Sequence, residues 1–265
     1  MIAIGLSSAA FYGENNTEDQ VRSLLNYPVE VCEVFLQTFG EYTPAFGLQL
    51  RRELGDVRCL AVHPKSTQLE GELFGKSPRQ REEAIEMFAG ACLAGKMLGA
   101  RYYVFHGPFS VDKNITPERI FRLEENMQVL YDIAGREGIE LLWENVSWAA
   151  LSTPKSVEEI RRRLPRQRYV LDVKQAFRAG VDPIDMIDAM GDRLAHVHAL
   201  DWDEKGNLCL PGEGVLDWQA LMRHLADVGY DGAVILEPYG WMSGDHQRMM
   251  RSLEYLRRCA EKANA

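Results

Sequence analysis

The chain has 265 residues, 46% hydrophobic and 26% charged, with a formal net charge of −9. That balance suits a water-soluble globular fold and weighs against nucleic acid, whose phosphate backbone asks for a basic surface. No apolar run approaches the ~20 residues that span a bilayer, and the five cysteines are scattered without a C-x-x-C pair.

Scattered cysteines fit reduced thiols in the cytosol rather than a disulfide framework or a zinc finger. Met1 to Ala10 is apolar but short, has no basic n-region and soon meets Glu14-Asn15-Asn16, so it does not read as a signal peptide. A cytoplasmic location is the expectation.

Ile2 to Leu6 reads as the first strand. Thr17 opens a helix, with Gln20 completing a capping box and Val21, Leu24 and Leu25 forming an apolar face. Val29 to Leu36 is the second strand, in which Glu33 suits either the interior or the surface. Pro44 to Leu54 is a helix stopped by Gly55, and Arg58 to His63 is the third strand. Lys65 to Ser77 reads as a polar loop, long enough to form part of a site rim. Ala84, Met87, Phe88, Ala91, Ala94 and Leu98 recur at helical spacing and place a helix over Pro78 to Leu98. Tyr102 to His106 is the fourth strand. Thr116-Pro117-Glu118 starts a helix that runs to about Glu137, with proline at the first helical position.

Ile139 to Glu144 is the fifth strand, and Ser156-Val157-Glu158-Glu159 is a second capping-box match opening a short helix. Arg168 to Asp172 is the sixth strand, followed by a helix over Pro183 to Met190 and a seventh strand over Arg193 to His198. Asp201 to Leu216 is a loop, in which Glu213 is a rim or loop-fixing residue. Asp217 caps a helix to Val228, Ala233 to Glu237 is the eighth strand, and Gly244 to Lys262 is the last helix.

Strand and helix alternate eight times at roughly 30-residue intervals, which predicts an α/β fold of the (β/α)₈ TIM-barrel type, one domain over residues 1–265. A doubly wound open sheet is the alternative. It ranks lower because polar residues close nearly every strand, whereas an open sheet gathers its ligands at one switch point. Those residues are His63, His106, Glu144, Asp172, His198 and Glu237. In a barrel the carboxyl ends of all strands converge on one mouth. Imidazole and carboxylate donors suit a divalent ion such as Zn²⁺, Mn²⁺, Co²⁺ or Fe²⁺. Three carboxylates crowded without a cation would repel one another.

The segments H-V-H-A-L-D (His196 to Asp201), P-G-E-G-V-L-D-W (Pro211 to Trp218), L-L-W-E-N (Leu141 to Asn145), L-D-V (Leu171 to Val173) and I-L-E-P (Ile235 to Pro238) resemble the xylose-isomerase-like TIM-barrel superfamily. That group includes sugar phosphate isomerases and epimerases, ketose 3-epimerases, hydroxypyruvate isomerase, inosose dehydratase and endonuclease IV. The resemblance covers essentially the whole chain. Its motifs are specific for the superfamily and uninformative about substrate.

The resemblance implies that Glu144, Asp172, His198 and Glu237 bind one divalent metal ion (Mn²⁺, Zn²⁺, Co²⁺ or Mg²⁺). It makes Glu144 and Glu237 the candidate acid–base pair. His63 and His106 then serve substrate, or join Glu144 around a second metal. The family often carries D-x-x-H on the sixth strand, but this chain has Asp172-Val173-Lys174-Gln175. Gln175 therefore stands where the histidine would be, which argues against a complete three-zinc cluster and puts an ordinary epimerase in doubt. Gln175, Lys174 and Lys65 are candidate contacts for a sugar hydroxyl or an anionic group. Phe109, Trp148, Trp202 and Trp241 lie near strand ends, with Trp202 taken as a candidate sugar platform.

The resulting expectation is a metal-dependent isomerase or epimerase of a small sugar, sugar phosphate or related polyhydroxy carbonyl compound. It would work by proton transfer through a metal-stabilised enediolate. The alternatives are an inosose-dehydratase-like lyase, an endonuclease IV-like phosphodiester hydrolase acting on abasic DNA, and a metal-binding barrel without catalysis. A small-molecule partner is expected, with no membrane, nucleic acid disfavoured, and assembly into a homo-oligomer left open.

Overall fold

Each barrel strand is a short apolar run buried on both faces, as parallel strands covered by helices must be. A computed structural model describes residues 2–13, 15–65, 67–109 and 116–263. The strands are β1 (Ala3–Ser7), β2 (Val31–Leu36), β3 (Arg58–Pro64), β4 (Tyr102–Phe105), β5 (Glu140–Glu144), β6 (Arg168–Asp172), β7 (Leu194–Ala199), the short β8 (Asp201–Trp202) and β9 (Leu208–Cys209), and β10 (Ala233–Leu236). β1 to β7 and β10 pair in parallel and close into a barrel when β10 meets β1, with Leu236 opposite Leu6. β8 and β9 form a separate antiparallel hairpin.

The surrounding helices are α1 (Thr17–Leu24), α2 (Pro44–Glu53), α3 (Thr67–Leu73), α4 (Pro78–Leu98), α5 (Leu123–Arg136), α6 (Pro154–Arg163), α7 (Val173–Arg178), α8 (Pro183–Met190), α9 (Trp218–Asp227) and α10 (His246–Ala263). Their apolar faces pack on the outside of the barrel. Inside it, Ala61, Tyr102, Val104, Leu142, Val170 and Ala195 fill the space between strands, alongside Val31, Ala233 and Ile235. That apolar filling gives way to buried polar residues towards the strand carboxyl ends. Among the described residues no helix is long and apolar enough to cross a membrane.

The expected (β/α)₈ barrel is thus observed, with local departures that have physical causes. The segment expected to be a loop from Lys65 to Ser77 contains α3, because Leu69 and Leu73, one turn apart, are buried against the core. The helix expected from Thr116 begins only at Leu123. A single 3₁₀ turn over Pro117–Arg119 ends in extended Ile120, and Arg122 takes a left-handed conformation before α5. α6 starts at Pro154 rather than Ser156: its capping box is Thr153 with Ser156, a hydroxyl pair reaching back where a glutamate was expected. Thr17 is the first residue of α1 rather than its cap, which is Asn16. Asp217 does cap α9, accepting from the Ala220 amide. The Asp201 to Leu216 loop carries the β8–β9 hairpin, and Glu213 within it grips Arg248 and the Leu210 amide.

Helix α2 crosses α4 at close range because Gly47 has no side chain. A methyl group there would lie 2.2 Å from the Ala94 carbonyl oxygen. Gly47→Ala should therefore destabilise the fold by about 1–3 kcal/mol, as over-packing does. Gly135→Ala, which would meet nothing within 4 Å, should be neutral or stabilising by up to ~1 kcal/mol. Denaturant unfolding of the two variants checks this pair, and equal effects would show that the α2–α4 contact is not close-packed.

Candidate metal centre

The strand ends bring Glu144 (β5), Asp172 (β6) and His198 (β7) together, each essentially buried, with one donor atom from each inside 4.8 Å of the others. His198 Nδ1 lies 3.6 Å from Glu144 Oε1 and 3.5 Å from Glu237 Oε2, so Glu237, just past β10, closes the fourth side. On the far side of Glu144, Oε2 lies 3.4 Å from His63 Nε2 and 3.4 Å from His106 Nε2. The six strand-end residues singled out in the sequence therefore meet, with Glu144 shared between two groups of donors.

Each donor is fixed from behind. Asp172 caps α7: its Oδ1 accepts from the Gln175 amide at 2.8 Å, which leaves Oδ2 for the cavity. Asn145 locks the strand end, accepting from the Asp172 amide at 2.7 Å and donating to its carbonyl at 2.9 Å. Glu70, on α3, accepts from the His106 amide at 3.1 Å and lies 3.4 Å from its Nδ1. The chain then turns at Gly107, at φ +77°, where a β-carbon would strike the Trp143 ring at 2.5 Å. Glu33 on β2 lies beneath His198, 3.0 Å from its Nε2. Glu33 and Glu70 back the histidines of the cluster, and sequence reading did not place them there. Glu33 did carry a signal, a lone charge inside the apolar run V-C-E-V-F-L. Glu70 carried none, because its segment read as a loop.

Of the buried side-chain atoms without a hydrogen-bond partner among the described residues, three, Glu144 Oε2, Asp172 Oδ2 and His198 Nδ1, lie here. Buried polar atoms without partners are costly, and here all three belong to one cluster of hard oxygen and imidazole donors. The residues present fit a divalent ion. A cation already leans on part of the cluster: Lys174 Nζ lies 3.1 Å from Asp172 Oδ2 and 3.3 Å from Glu237 Oε2.

The electrostatics follow from burial and crowding. Burial pushes the Asp172 carboxyl up to about 6, Lys174 opposing and Glu144 and Glu237 adding to the push. Burial acts upward on Glu144 too, but the imidazoles of His106, His198 and His63 outweigh it and hold that carboxyl well below the usual range. Burial lowers His63, yet its bond to Glu144 and the charges of Glu33 and Glu237 override that and lift it to about 9. His198 is raised well above its ordinary value, with Glu33 and Glu237 overcoming desolvation.

A cavity of about 210 Å³ opens over the cluster, lined among others by His63, His106, Glu144, Lys174, Gln175 and Glu237. Tyr12, Phe35 and Tyr239 supply its apolar walls. The Gln175 carbonyl oxygen is taken by the Ser147 hydroxyl at 2.9 Å and its amide at 3.3 Å, so only the NH₂ of Gln175 is left to donate. Lys65 is exposed and reaches the rim through Tyr12, 3.2 Å from its hydroxyl. Trp202 is not among the lining residues. It stacks on Phe177 at 4.1 Å and 10°, which makes it packing of the β8–β9 hairpin rather than a wall of the cavity. Trp148 stands over His106, with ring centroids 5.7 Å apart, and Trp241 is exposed.

A family profile described as xylose isomerase-like TIM barrel matches residues 30–259. Fructoselysine 3-epimerase of Escherichia coli O157:H7 is 26% identical over 165 residues, 59% of each chain. Inosose dehydratase of Bacillus licheniformis is 24% identical over 187 residues, 59% of this chain and 62% of that one. The chain thus spans under two thirds of the length of these curated relatives. A crystal structure of D-psicose 3-epimerase in the presence of D-fructose superposes with a TM-score of 0.79 at 16% identity, covering 100% of both chains. That likeness concerns the fold.

Adding Mn²⁺, Co²⁺ or Zn²⁺ should raise the thermal midpoint. At a hundred times Kd the gain is about 2.7 kcal/mol, or roughly 5–10 °C for a chain of this size. Asp172→Asn should abolish the rise. Because His198 holds its proton to well above the ordinary imidazole value and Asp172 takes one up near 6, and both protons compete with the ion, the midpoint shift should shrink as pH falls, the Asp172 share being lost through about 6. Thermal scans across pH with and without ion test both statements, and a shift that survives Asp172→Asn would place the ion elsewhere.

Proposed function

The chain belongs to the xylose isomerase-like TIM-barrel family, and on that premise we propose that it is a divalent-metal-dependent epimerase of a small ketose-type sugar or related polyhydroxy carbonyl compound. Glu144 and Glu237 form its acid–base pair. The observation that carries this reading is the placing of both glutamates at one cavity, each close to His198 Nδ1, at 3.6 and 3.5 Å. Epimerisation at a carbon next to a carbonyl needs a base on one face and an acid on the other. Two carboxylates converging from β5 and β10 supply that pair without any movement of the barrel.

Glu144, Asp172, His198 and Glu237 would hold the ion, which when bound supplies Lewis-acid stabilisation of the negative charge that develops next to the carbonyl. Glu144, held ionised by the imidazoles around it, is ready to accept a proton from carbon. Glu237 returns one from the other face. Lys174 pairs with Glu237 and Asp172, holding their carboxylates in place while the proton moves. His63 and His106 reach the cavity through Nε2 and offer contacts to substrate hydroxyls, and Gln175 offers its NH₂. The apolar walls exclude water from the reacting carbon. A cavity of about 210 Å³ lies below the ~300–1,000 Å³ of drug-sized ligand pockets, which favours a small substrate.

Names of relatives support the reading. Fructoselysine 3-epimerase is a sequence relative, D-psicose 3-epimerase shares the fold, and inosose dehydratase marks a lyase as the rival. The endonuclease reading is weakened because Gln175 spends its oxygen on Ser147 and is left with a donor where a further metal ligand would stand.

The test is solvent deuterium uptake, with the ion-loaded protein offered ketoses, ketose phosphates and inososes. Incorporation at a carbon next to a carbonyl, with the epimer formed, is the expected result. Glu144→Gln and Glu237→Gln should each cut exchange by about 10²–10⁴. Water loss from an inosose would replace epimerase by lyase, cleavage of abasic DNA would revive the nuclease, and undiminished exchange in Glu237→Gln would remove it from the acid–base pair.

A further inference from the structure

Glu33 is a carboxylate sealed inside the barrel, with no exposed surface at all. It sits on β2, in register with Ser7 of β1 on one side and, past a one-residue shift in pairing, with Ala61 of β3 on the other. Across the barrel, β7 presents His196 and His198, two residues apart and so on the same face of the strand. A single oxygen, Glu33 Oε2, lies 3.1 Å from His196 Nε2 and 3.0 Å from His198 Nε2. The other oxygen accepts from the Ser7 hydroxyl at 3.3 Å.

An unpaired carboxylate at this depth would cost several kcal/mol, so the contacts are what keep it there. An ionised carboxylate only accepts hydrogen bonds. Both Nε2 atoms must therefore carry hydrogen, and for His198 that settles the direction of the other nitrogen. With Nε2 turned to Glu33, Nδ1 is the nitrogen of His198 that faces Glu144 and Glu237; it has no hydrogen-bond partner and offers its lone pair to an ion once its own proton leaves.

We propose that Glu33 is a positioning residue of the metal centre: from the opposite wall of the barrel it fixes His198 with hydrogen on Nε2 and aims Nδ1 at the seat of the ion. His196 shares the same oxygen and braces the carboxylate without reaching the cavity. This inference rests on the metal-centre reading above and adds to it a residue one layer beneath the donors. Glu33 does not touch substrate. Its effect passes through His198, as a carboxylate behind a metal-bound imidazole orients the ring and raises its basicity.

The experiment pairs Co²⁺ affinity, measured by competition with a chelator, with ¹H–¹⁵N spectra of the imidazole nitrogens in the ion-free protein. In the wild type, His196 and His198 should each show a slowly exchanging hydrogen on Nε2. Glu33→Gln should bind Co²⁺ about 10–100-fold more weakly, and its His198 Nε2 hydrogen should lose protection by roughly tenfold. Gly47→Ala, which strains the fold far from the site, should lower the thermal midpoint while leaving Co²⁺ affinity unchanged, separating positioning from general destabilisation. A wild-type His198 with no protected hydrogen on Nε2 overturns the proposal, whether or not the variant folds. So does a Glu33→Gln protein that holds Co²⁺ as tightly as the wild type. If the wild type binds no divalent ion, the metal reading fails instead, and the imidazole spectra still decide whether Glu33 fixes His198.

Discussion

Parallel strands in a closed barrel must all end on the same side, and in this chain that rule drives three carboxylates into one small mouth. Glu144, Asp172 and Glu237 cannot sit there at low cost as bare anions. Everything around them answers that crowding. Lys174 leans on two of them, three imidazoles converge on the third, and Glu144 Oε2, Asp172 Oδ2 and His198 Nδ1 have no hydrogen-bond partner. A divalent cation is the species that would satisfy the remaining donors together, which is why the fold and the proposed chemistry cannot be argued separately.

The short α7 shows how local sequence serves that arrangement. Asp172 ends β6 and is at the same time the cap of the helix that follows it immediately. One carboxylate oxygen is consumed by the cap, so the other is held at a fixed angle to the cavity. The same first turn brings Lys174 and Gln175 to the cavity wall, the lysine against the carboxylates and the glutamine against Ser147. The departure from D-x-x-H is therefore more than a missing histidine. It puts an amide at the histidine's position and a buried cation at the variable position before it, against Asp172 and Glu237.

The barrel was legible because its signals are local and repeated: an apolar run and then a helix eight times along the chain, with an acid–base residue closing six of the eight runs. The six mouth residues were legible for the same reason, since each follows its own run, as His198 follows Leu194 to Val197. What sequence could not give was the layer behind them. Glu33 and Glu70 act on histidines 165 and 36 residues away, and no spacing rule connects such pairs before the barrel has closed. Glu70 was hidden twice over, because α3 announces itself only through Leu69 and Leu73 in an otherwise polar stretch. Trp202 failed differently. Its place just past a strand end suggested a sugar platform, but the hairpin it starts carries the ring away to Phe177.

The backing of the histidines also separates what is fixed from what can vary. His198 is tied through Nε2 to Glu33, His106 through its amide to Glu70, and His63 Nδ1 lies 3.3 Å from the Pro64 carbonyl oxygen. Each ring thus has one nitrogen turned to the wall and the other to Glu144 or Glu237. These tethers come from strands, or from a helix packed on them, and they would serve any substrate whose proton is moved between the two glutamates. The outer rim is built from loops: Tyr12 after β1, Tyr239 and exposed Trp241 after β10, and Lys65 after β3. On the proposed function, selection among sugars would fall to those residues, while the proton transfer would need only the strand ends. A chain can therefore match this family across its length and still differ from its relatives in the sugar it turns over.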